Sequence, residues 1–124
     1  MNIALWIVAS LTAAAFLMAG MMKISQGRRV EEKGMAWARH YSDSAIRAIG
    51  TAEVAGGLGL ILPAVTGIAT WLVPAAALGL VLVMIGAVSR HVRDGDGPRV
   101  FAPAMMLGIL AVAVAVGRIW VAPF

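Results

Sequence analysis

Residues 54–89 read VAGGLGLILPAVTGIATWLVPAAALGLVLVMIGAVS and contain no charged side chain. A pair of soluble helices of this length would carry polar residues along their outer faces. A helix of about 20 apolar residues, in contrast, crosses the hydrocarbon core of a bilayer. The stretch is interrupted by Pro-Ala-Val-Thr-Gly at residues 63–67, a pattern typical of a turn. It therefore predicts two membrane-spanning helices joined by a tight connection.

The rest of the chain has the same apolar character. Of its 124 residues, 61% are hydrophobic and 13% are charged, against about 45–50% and about 25% in soluble domains. The apolar runs are about twice as long as a membrane β-strand and do not alternate with polar residues. We therefore predict an all-α integral membrane four-helix bundle that forms a single domain over residues 1–124. Its spans lie at about residues 3–22, 46–62, 70–89 and 100–120.

The basic residues predict the orientation of this bundle. Loops on the cytoplasmic side of a membrane carry an excess of lysine and arginine. The two longer loops hold Lys23, Arg28, Arg29, Lys33, Arg39, Arg47, Arg90, Arg93 and Arg99, whereas the opposite side holds only Arg118. Both longer loops are therefore predicted to be cytoplasmic, with both termini outside. The net charge of +4 follows from this asymmetry, and we do not interpret it as a nucleic-acid-binding surface.

Aromatic residues favour the same orientation. Tryptophan and tyrosine are enriched where a helix meets the headgroup region. Trp6, Trp71 and Trp120 fall at the predicted outer boundary, and Trp37 and Tyr41 fall at the inner one. These five residues are our predicted interface anchors. The spacing of Trp37 and Tyr41 also predicts a short interfacial helix within the first cytoplasmic loop.

Small residues in the second span predict close helix packing. Apolar helices gain little from association in lipid unless their backbones approach closely or polar groups bond between them. The second span is the richest in glycine, so we place it centrally in the bundle. The glycines predicted to pack against neighbouring helices are Gly50, Gly56, Gly57 and Gly59.

Glu53 is the one acidic residue inside a predicted span. Because a charge at this depth is costly, it should be paired, neutral or in contact with a wet cavity. Lys23 is the first choice of partner, since its flexible chain can reach inward from the membrane surface. His91 and Arg47 lie on the same side of the membrane as Lys23.

Two interpretations of this polar group remain open. In one, Glu53 and Lys23 form an interhelical ion pair that fixes the register of the bundle. In the other, Glu53 takes up a proton beside a bound quinone-type headgroup, while His91 or Lys23 supplies a hydrogen bond. We predict no metal site, because the chain has no cysteine and its two histidines lie near the predicted surface. Quinone is the one cofactor that the second interpretation admits.

Three segments resemble the DoxX-like family, which comprises small four-helix membrane proteins found widely in bacteria. They are FLMAGMMK at residues 16–23, IGTAEVAGGLGLILP at residues 49–63, and the loop around His91 together with Gly117 and Arg118. By this resemblance, Lys23 and Glu53 match the family's recurrent lysine and glutamate, and His91 matches a histidine that is common after the third helix. Where many relatives have a polar side chain early in the fourth helix, this chain has Pro103 and Ala104.

The resemblance also implies a cellular role. The family takes its name from a subunit associated with archaeal thiosulfate:quinone oxidoreductase and terminal oxidase complexes. Our first expectation is therefore an accessory or scaffolding subunit of a membrane complex, respiratory and quinone-linked, located in the bacterial inner membrane. The absence of a redox-active ligand set favours a role that is not enzymatic. Beyond the lipid bilayer, the expected partners are a second copy of the chain or a larger membrane complex.

Two alternatives belong to other functional classes. The first is a membrane protein that binds a small molecule or quinone, with a proton-linked site at Glu53. The second is a small proton-coupled transporter, since four spans and one buried glutamate also occur in the small multidrug resistance family. That family places its glutamate in the first span, where this chain has none, so we rank the transporter last.

Overall fold

The computed structural model describes residues 2–124 and contains four long helices, which confirms the predicted all-α fold. They are α1 (Asn2–Gln26), α2 (Asp43–Thr66), α3 (Leu72–Arg93) and α4 (Pro98–Val116), and a π-helical turn at Gly117–Val121 continues α4. Within residues 2–124 there is no strand. All four helices are long and apolar enough to cross a membrane. At 1.5 Å per residue, even the 19 residues of α4 extend about 29 Å.

The ends of α2 and α3 differ from the predicted span limits. Ser42 caps α2 by accepting a hydrogen bond from the backbone N–H of Ala45 at 3.1 Å. The turn predicted at residues 63–67 is wrong for its first four residues, because α2 continues through Pro63 to Thr66 and is capped by Gly67, whose φ of 73° is left-handed. α3 continues to Arg93 rather than residue 89. The added turn of α3, residues 90–93, is mostly basic and therefore lies outside the apolar run that hydropathy detects.

The connection between α1 and α2 folds over one end of the bundle. It contains two short 3₁₀ segments, Gly27–Lys33 and Ala36–His40, rather than one interfacial helix. Gly34, with φ of 96°, separates them. Val30, Ala38 and Ile46 form a small core beneath this connection. We call residues 27–41 the cover segment.

Close backbone contacts hold α1 against α2. A Cβ atom added at Gly20 would lie 2.6 Å from the carbonyl oxygen of Gly50, and one added at Gly50 would lie 2.6 Å from that of Gly20. Gly57 also packs on α1, where an added Cβ atom would lie 3.1 Å from the Leu17 side chain and 3.2 Å from the carbonyl oxygen of Ala13. Only residues without a side chain fit at the Gly20–Gly50 crossing, because the two backbones themselves are in contact.

The remaining helices complete a ring in which α2 packs on α3, α3 on α4, and α4 on α1. Two ends can be distinguished. The loop end carries the cover segment and the turn at residues 94–97, and the hairpin end carries the turn at residues 67–71 and residues 117–124. Large apolar side chains cover the outside, among them Ile3 at 77% exposure and Met18 at 75%. Such an exterior is suited to lipid, since soluble proteins rarely expose extended apolar surfaces.

Candidate functional site

A buried ion pair joins α1 and α2 near the loop end. Lys23 Nζ lies 2.5 Å from Glu53 Oε1, and the two side chains are 10% and 1% exposed. The pair forms because the Gly20–Gly50 crossing, about one turn away, brings the two helices into contact. Lys23 is thus the partner of Glu53 in the structure. Arg47, a second basic residue considered for this role, instead donates a hydrogen bond to Asp43 at 2.7 Å.

The ion pair forms part of the wall of a cavity of about 600 Å³ in the loop half of the bundle. All four helices and the cover segment contribute to its wall. The lining consists of Ala19 and Lys23 of α1; Met35, Trp37 and Tyr41 of the cover segment; Ala48, Ile49, Ala52 and Glu53 of α2; Leu82, Val83, Met84, Gly86, Ala87, Arg90 and His91 of α3; and Val100, Pro103, Ala104 and Leu107 of α4. Most of this lining is apolar, with its charged groups at the loop end.

The cover segment closes the loop end of this cavity with aromatic side chains. The rings of Trp37 and Tyr41 meet edge to face, with centroids 5.6 Å apart. Lys23 Nζ lies 5.7 Å from the centroid of a Trp37 ring, a distance at which a cation is attracted to the ring face. The same ammonium group therefore contacts both the carboxylate of Glu53 and the aromatic cover.

A second set of charges links the cover segment to the end of α3. Asp94 Oδ1 lies 2.8 Å from Arg90 Nη2 and 3.0 Å from His40 Nε2, and the Asp94 side chain is 4% exposed. The hydrogen bond from Arg90 is the main reason that the pKa of Asp94 lies below its ordinary value. Asp94 thus connects His40 of the cover segment to the last turn of α3.

The structure brings Lys23, Glu53 and His91 to one cavity but does not join all three by hydrogen bonds. His91 Nδ1 lies 2.9 Å from Asp96 Oδ2 in the turn after α3. The hydrogen bond of the buried carboxylate comes from Lys23. His91 and Glu53 therefore both line the cavity, but His91 pairs with the turn after α3 and Glu53 pairs with α1.

The four glycines predicted to pack all face neighbouring helices. Gly50 and Gly57 lie against α1, while Gly56 and Gly59 lie against Leu80 and Ala76 of α3. These contacts explain how α2 packs on both sides. None of these four glycines lines the cavity.

The predicted interface residues fall into two groups. Trp6, Trp71 and Trp120 lie at the hairpin end, where Trp6 packs edge to face on Phe124. Trp37 and Tyr41 lie at the loop end and line the cavity. The pattern that identified this second group as membrane anchors did not reveal their place over a cavity.

Arg90 is the main cavity residue that sequence reasoning missed. Its charge in the sequence predicts only the orientation of the bundle, whereas in the structure Arg90 lines the cavity next to His91. Its position directly before His91 in the chain was the available signal. The fourth helix, with Val100, Pro103, Ala104 and Leu107, adds only apolar surface.

These groups can recognise the polar end of a ligand and move a proton. Lys23 and Arg90 can donate hydrogen bonds, and the Glu53 carboxylate can accept them or take up a proton. Among residues 2–124, no group of three or more histidine, aspartate or glutamate side chains is arranged to hold a metal ion. The cavity therefore combines an apolar wall with a few polar groups at one end.

Comparison with known proteins supplies one finding. The sequence model of the DoxX-like family matches residues 7–116, which includes all of the cavity residues. No curated protein and no solved structure matches the chain.

Proposed function

Since this chain belongs to the DoxX-like family and is a membrane protein with four candidate transmembrane helices, we propose that it binds a lipid-soluble molecule with a polar headgroup, of which quinone is the leading class. One observation carries this proposal, namely that the Lys23–Glu53 ion pair lines a mostly apolar cavity. An ion pair that only fixes helix register has no need of a cavity beside it. Ionisable groups beside intramembrane cavities commonly mark ligand or proton pathways.

The dimensions and polarity of the cavity fit a small ligand. Its volume of about 600 Å³ lies within the range of about 300–1,000 Å³ typical of ligand pockets. The headgroup would lie toward Lys23 and Glu53, with its oxygen atoms accepting hydrogen bonds from the ammonium group. A hydroxyl on the headgroup would donate a hydrogen bond to the Glu53 carboxylate. When the headgroup releases this proton, the carboxylate takes it up.

Fluorescence of Trp37 provides a direct test, because this residue lines the cavity. We would replace Trp6, Trp71 and Trp120 with phenylalanine, reconstitute the protein in liposomes, and titrate it with decylubiquinone, a quinone that quenches tryptophan. We expect saturable quenching. In Glu53→Gln we expect the affinity for decylubiquinone to fall by about tenfold or more, which corresponds to about 1.4 kcal/mol. The matched control is Glu32→Gln, the same chemical change at an exposed position of the cover segment.

A second variant separates loss of binding from loss of folding. Lys23→Met/Glu53→Met removes both charges, so neither is left unpaired in the bundle. We expect this double variant to remain folded and to bind decylubiquinone weakly. Non-saturable quenching in the parent protein, or parental affinity in the double variant, would contradict the proposal.

An accessory-subunit role is our second proposal, and the outer face of α3 supports it. Gly79 is exposed there, and a Cβ atom added to it would meet nothing within 4 Å. A helix of another subunit could approach such a surface closely. Native mass spectrometry of protein extracted gently from its own membrane tests both proposals. A bound quinone lost in Glu53→Gln supports the ligand site, whereas a ligand-free complex with another subunit supports the accessory role.

We also propose that the protein lies in a bacterial inner membrane with its loop end in the cytoplasm. The nine basic residues outside the hairpin end support this orientation through the positive-inside rule. Because the chain has no cysteine, single-cysteine variants can report it. In intact cells we expect a membrane-impermeant maleimide to label Ile68→Cys at the hairpin end and not Ser44→Cys at the loop end. The reverse pattern would overturn the proposed orientation.

A further inference from the structure

We propose that the cavity opens sideways between α2 and α3, and that its ligand enters from the bilayer through this opening. The inference rests on the proposed ligand site and specifies the ligand class, a membrane-dissolved amphiphile whose tail remains between α2 and α3. It is based on how the contact between these two helices changes along their length.

Near the hairpin end, α2 and α3 are in close contact. A Cβ atom added at Gly59 would lie 2.8 Å from the Cβ of Ala76, and one added at Gly56 would lie 2.5 Å from Leu80. These contacts leave no space between the helices, so a ligand could not pass here.

Toward the loop end, the same two helices separate. Ala48 and Ala52 of α2 and Leu82 and Gly86 of α3 line the cavity, yet all four are also exposed on the outside of the bundle. A Cβ atom added at Gly86 would meet no atom within 4 Å. Exposed lining residues on the facing sides of two neighbouring helices mark an opening between those helices, which we call the side opening. Three of the four are alanine or glycine, which keeps it wide.

Access from the loop end is more restricted. Met35, Trp37 and Tyr41 cover the cavity there, and the His40–Asp94–Arg90 contacts tie the cover segment to α3. A water-soluble ligand would have to separate these paired charges. A lipid-soluble ligand reaches the side opening directly, because its rim lies between the two predicted spans.

The geometry also determines how such a ligand lies. Glu53 follows Ala52 in α2, so a headgroup passing the side opening reaches the Lys23–Glu53 pair at once. A cavity of about 600 Å³ holds a headgroup and a short length of chain, since drug-sized ligands fill pockets of about 300–1,000 Å³. A longer tail would therefore extend through the side opening into the bilayer.

Two glycines of α3 provide a matched test. Gly86 lines the side opening, whereas Gly79 on the same helix is also exposed, with open space around its Cβ position, but does not line the cavity. We would measure stopped-flow quenching of Trp37 by decylubiquinone in liposomes holding the Trp37-only protein. In Gly86→Leu we expect the association rate constant to fall by about tenfold, because the leucine side chain narrows the side opening through which the ligand enters. Gly79→Leu should keep the parental rates.

Ala52→Leu narrows the side opening from α2 and should also slow association, so the result does not depend on a local effect of one substitution. Val100 is an exposed lining residue on α4, so Val100→Trp tests a route beside that helix. Three results would overturn the side opening. The first is a parental association rate in both Gly86→Leu and Ala52→Leu, and the second is slower association only in Val100→Trp. The third is a weaker affinity at an unchanged association rate. If the parent protein itself shows no saturable quenching, the proposed function fails, and this inference fails with it.

Discussion

Replacing Glu53 with leucine should lower the free energy of unfolding by about 3–5 kcal/mol, the usual cost of removing one partner of a buried ion pair. Glu53 is 1% exposed and Lys23 is 10% exposed, with 2.5 Å between Nζ and Oε1. At this separation of 2.5 Å, two unit charges attract by about 7 kcal/mol at an effective dielectric constant of about 20. This attraction offsets the cost of removing both charges from water. In Glu53→Leu, the ammonium group of Lys23 stays buried without its partner, so nothing offsets its desolvation free energy.

The double variant Lys23→Met/Glu53→Leu should recover most of this loss. It removes both desolvation costs, so we expect its stability to lie within about 1 kcal/mol of the parent protein or above it. A suitable assay is unfolding by sodium dodecyl sulfate in mixed micelles, followed by far-UV circular dichroism. The four proteins of this cycle then give the coupling free energy between the two side chains.

The exposed pair Arg28–Glu31 provides the control. Its charged atoms lie 3.7 Å apart, and its side chains are 52% and 42% exposed. Glu31→Leu should therefore change the free energy of unfolding by less than about 1 kcal/mol. Our reasoning would be refuted if Glu53→Leu cost no more than Glu31→Leu. It would also be refuted if the double variant lost as much stability as Glu53→Leu and Lys23→Met lose together.

Other substitutions test packing, pH dependence and the hairpin end. Gly50→Ala should destabilise the bundle by about 1–3 kcal/mol in the same unfolding assay, because its Cβ would press on the backbone of α1. Gly79→Ala places its Cβ in open space and should cost no stability. Equal losses of stability in the two variants would contradict this explanation. Arg90 holds the pKa of Asp94 below 3.8, so the stabilisation by Asp94 should be present above that pH and be lost as the pH falls through the lower folded-state pKa. The melting temperatures of the parent protein and Asp94→Asn should accordingly differ at pH 7 and converge in strong acid, and a constant difference would rule out this linkage. Arg118 is buried, and it donates hydrogen bonds to Asn2 and to the Ala122 carbonyl. In Arg118→Met, amide hydrogen exchange should therefore rise at residues 117–124 but not in the cover segment, and unchanged exchange would show that Arg118 does not hold this segment.

Much of the candidate site could be predicted from single residues. Glu53 stands out because an acid within an apolar run is rare and costly. Lys23 could be ranked as its partner because it closes the preceding span on the same side. The choice over Arg47 was confirmed only by the structure, in which Arg47 bonds to Asp43 and to the carbonyl of Ile24. Helix length places a residue at a depth, but it does not determine the direction in which its side chain points.

The position of the cover segment over a cavity could not be predicted from the sequence. Trp37 and Tyr41 match the pattern of membrane-interface anchors, and the same pattern fits side chains that cover a cavity. The two cases differ in what lies beneath the rings, which depends on residues of all four helices. Arg90 could not be predicted as a cavity residue for the same reason, because its charge in the sequence indicates only the orientation of the bundle.

The sequence by itself determined that this chain forms four apolar helices, that its basic residues gather at one end, and that one acid lies within a span. These properties follow from local composition, because the length of an apolar run and the position of a charge can be read along the chain. Only the tertiary structure decided that Lys23 meets Glu53, that the cover segment closes the loop end, and that α2 and α3 separate beside Gly86. The physical reason is that a cavity and its opening depend on where helices diverge, and divergence results from packing between side chains far apart in sequence.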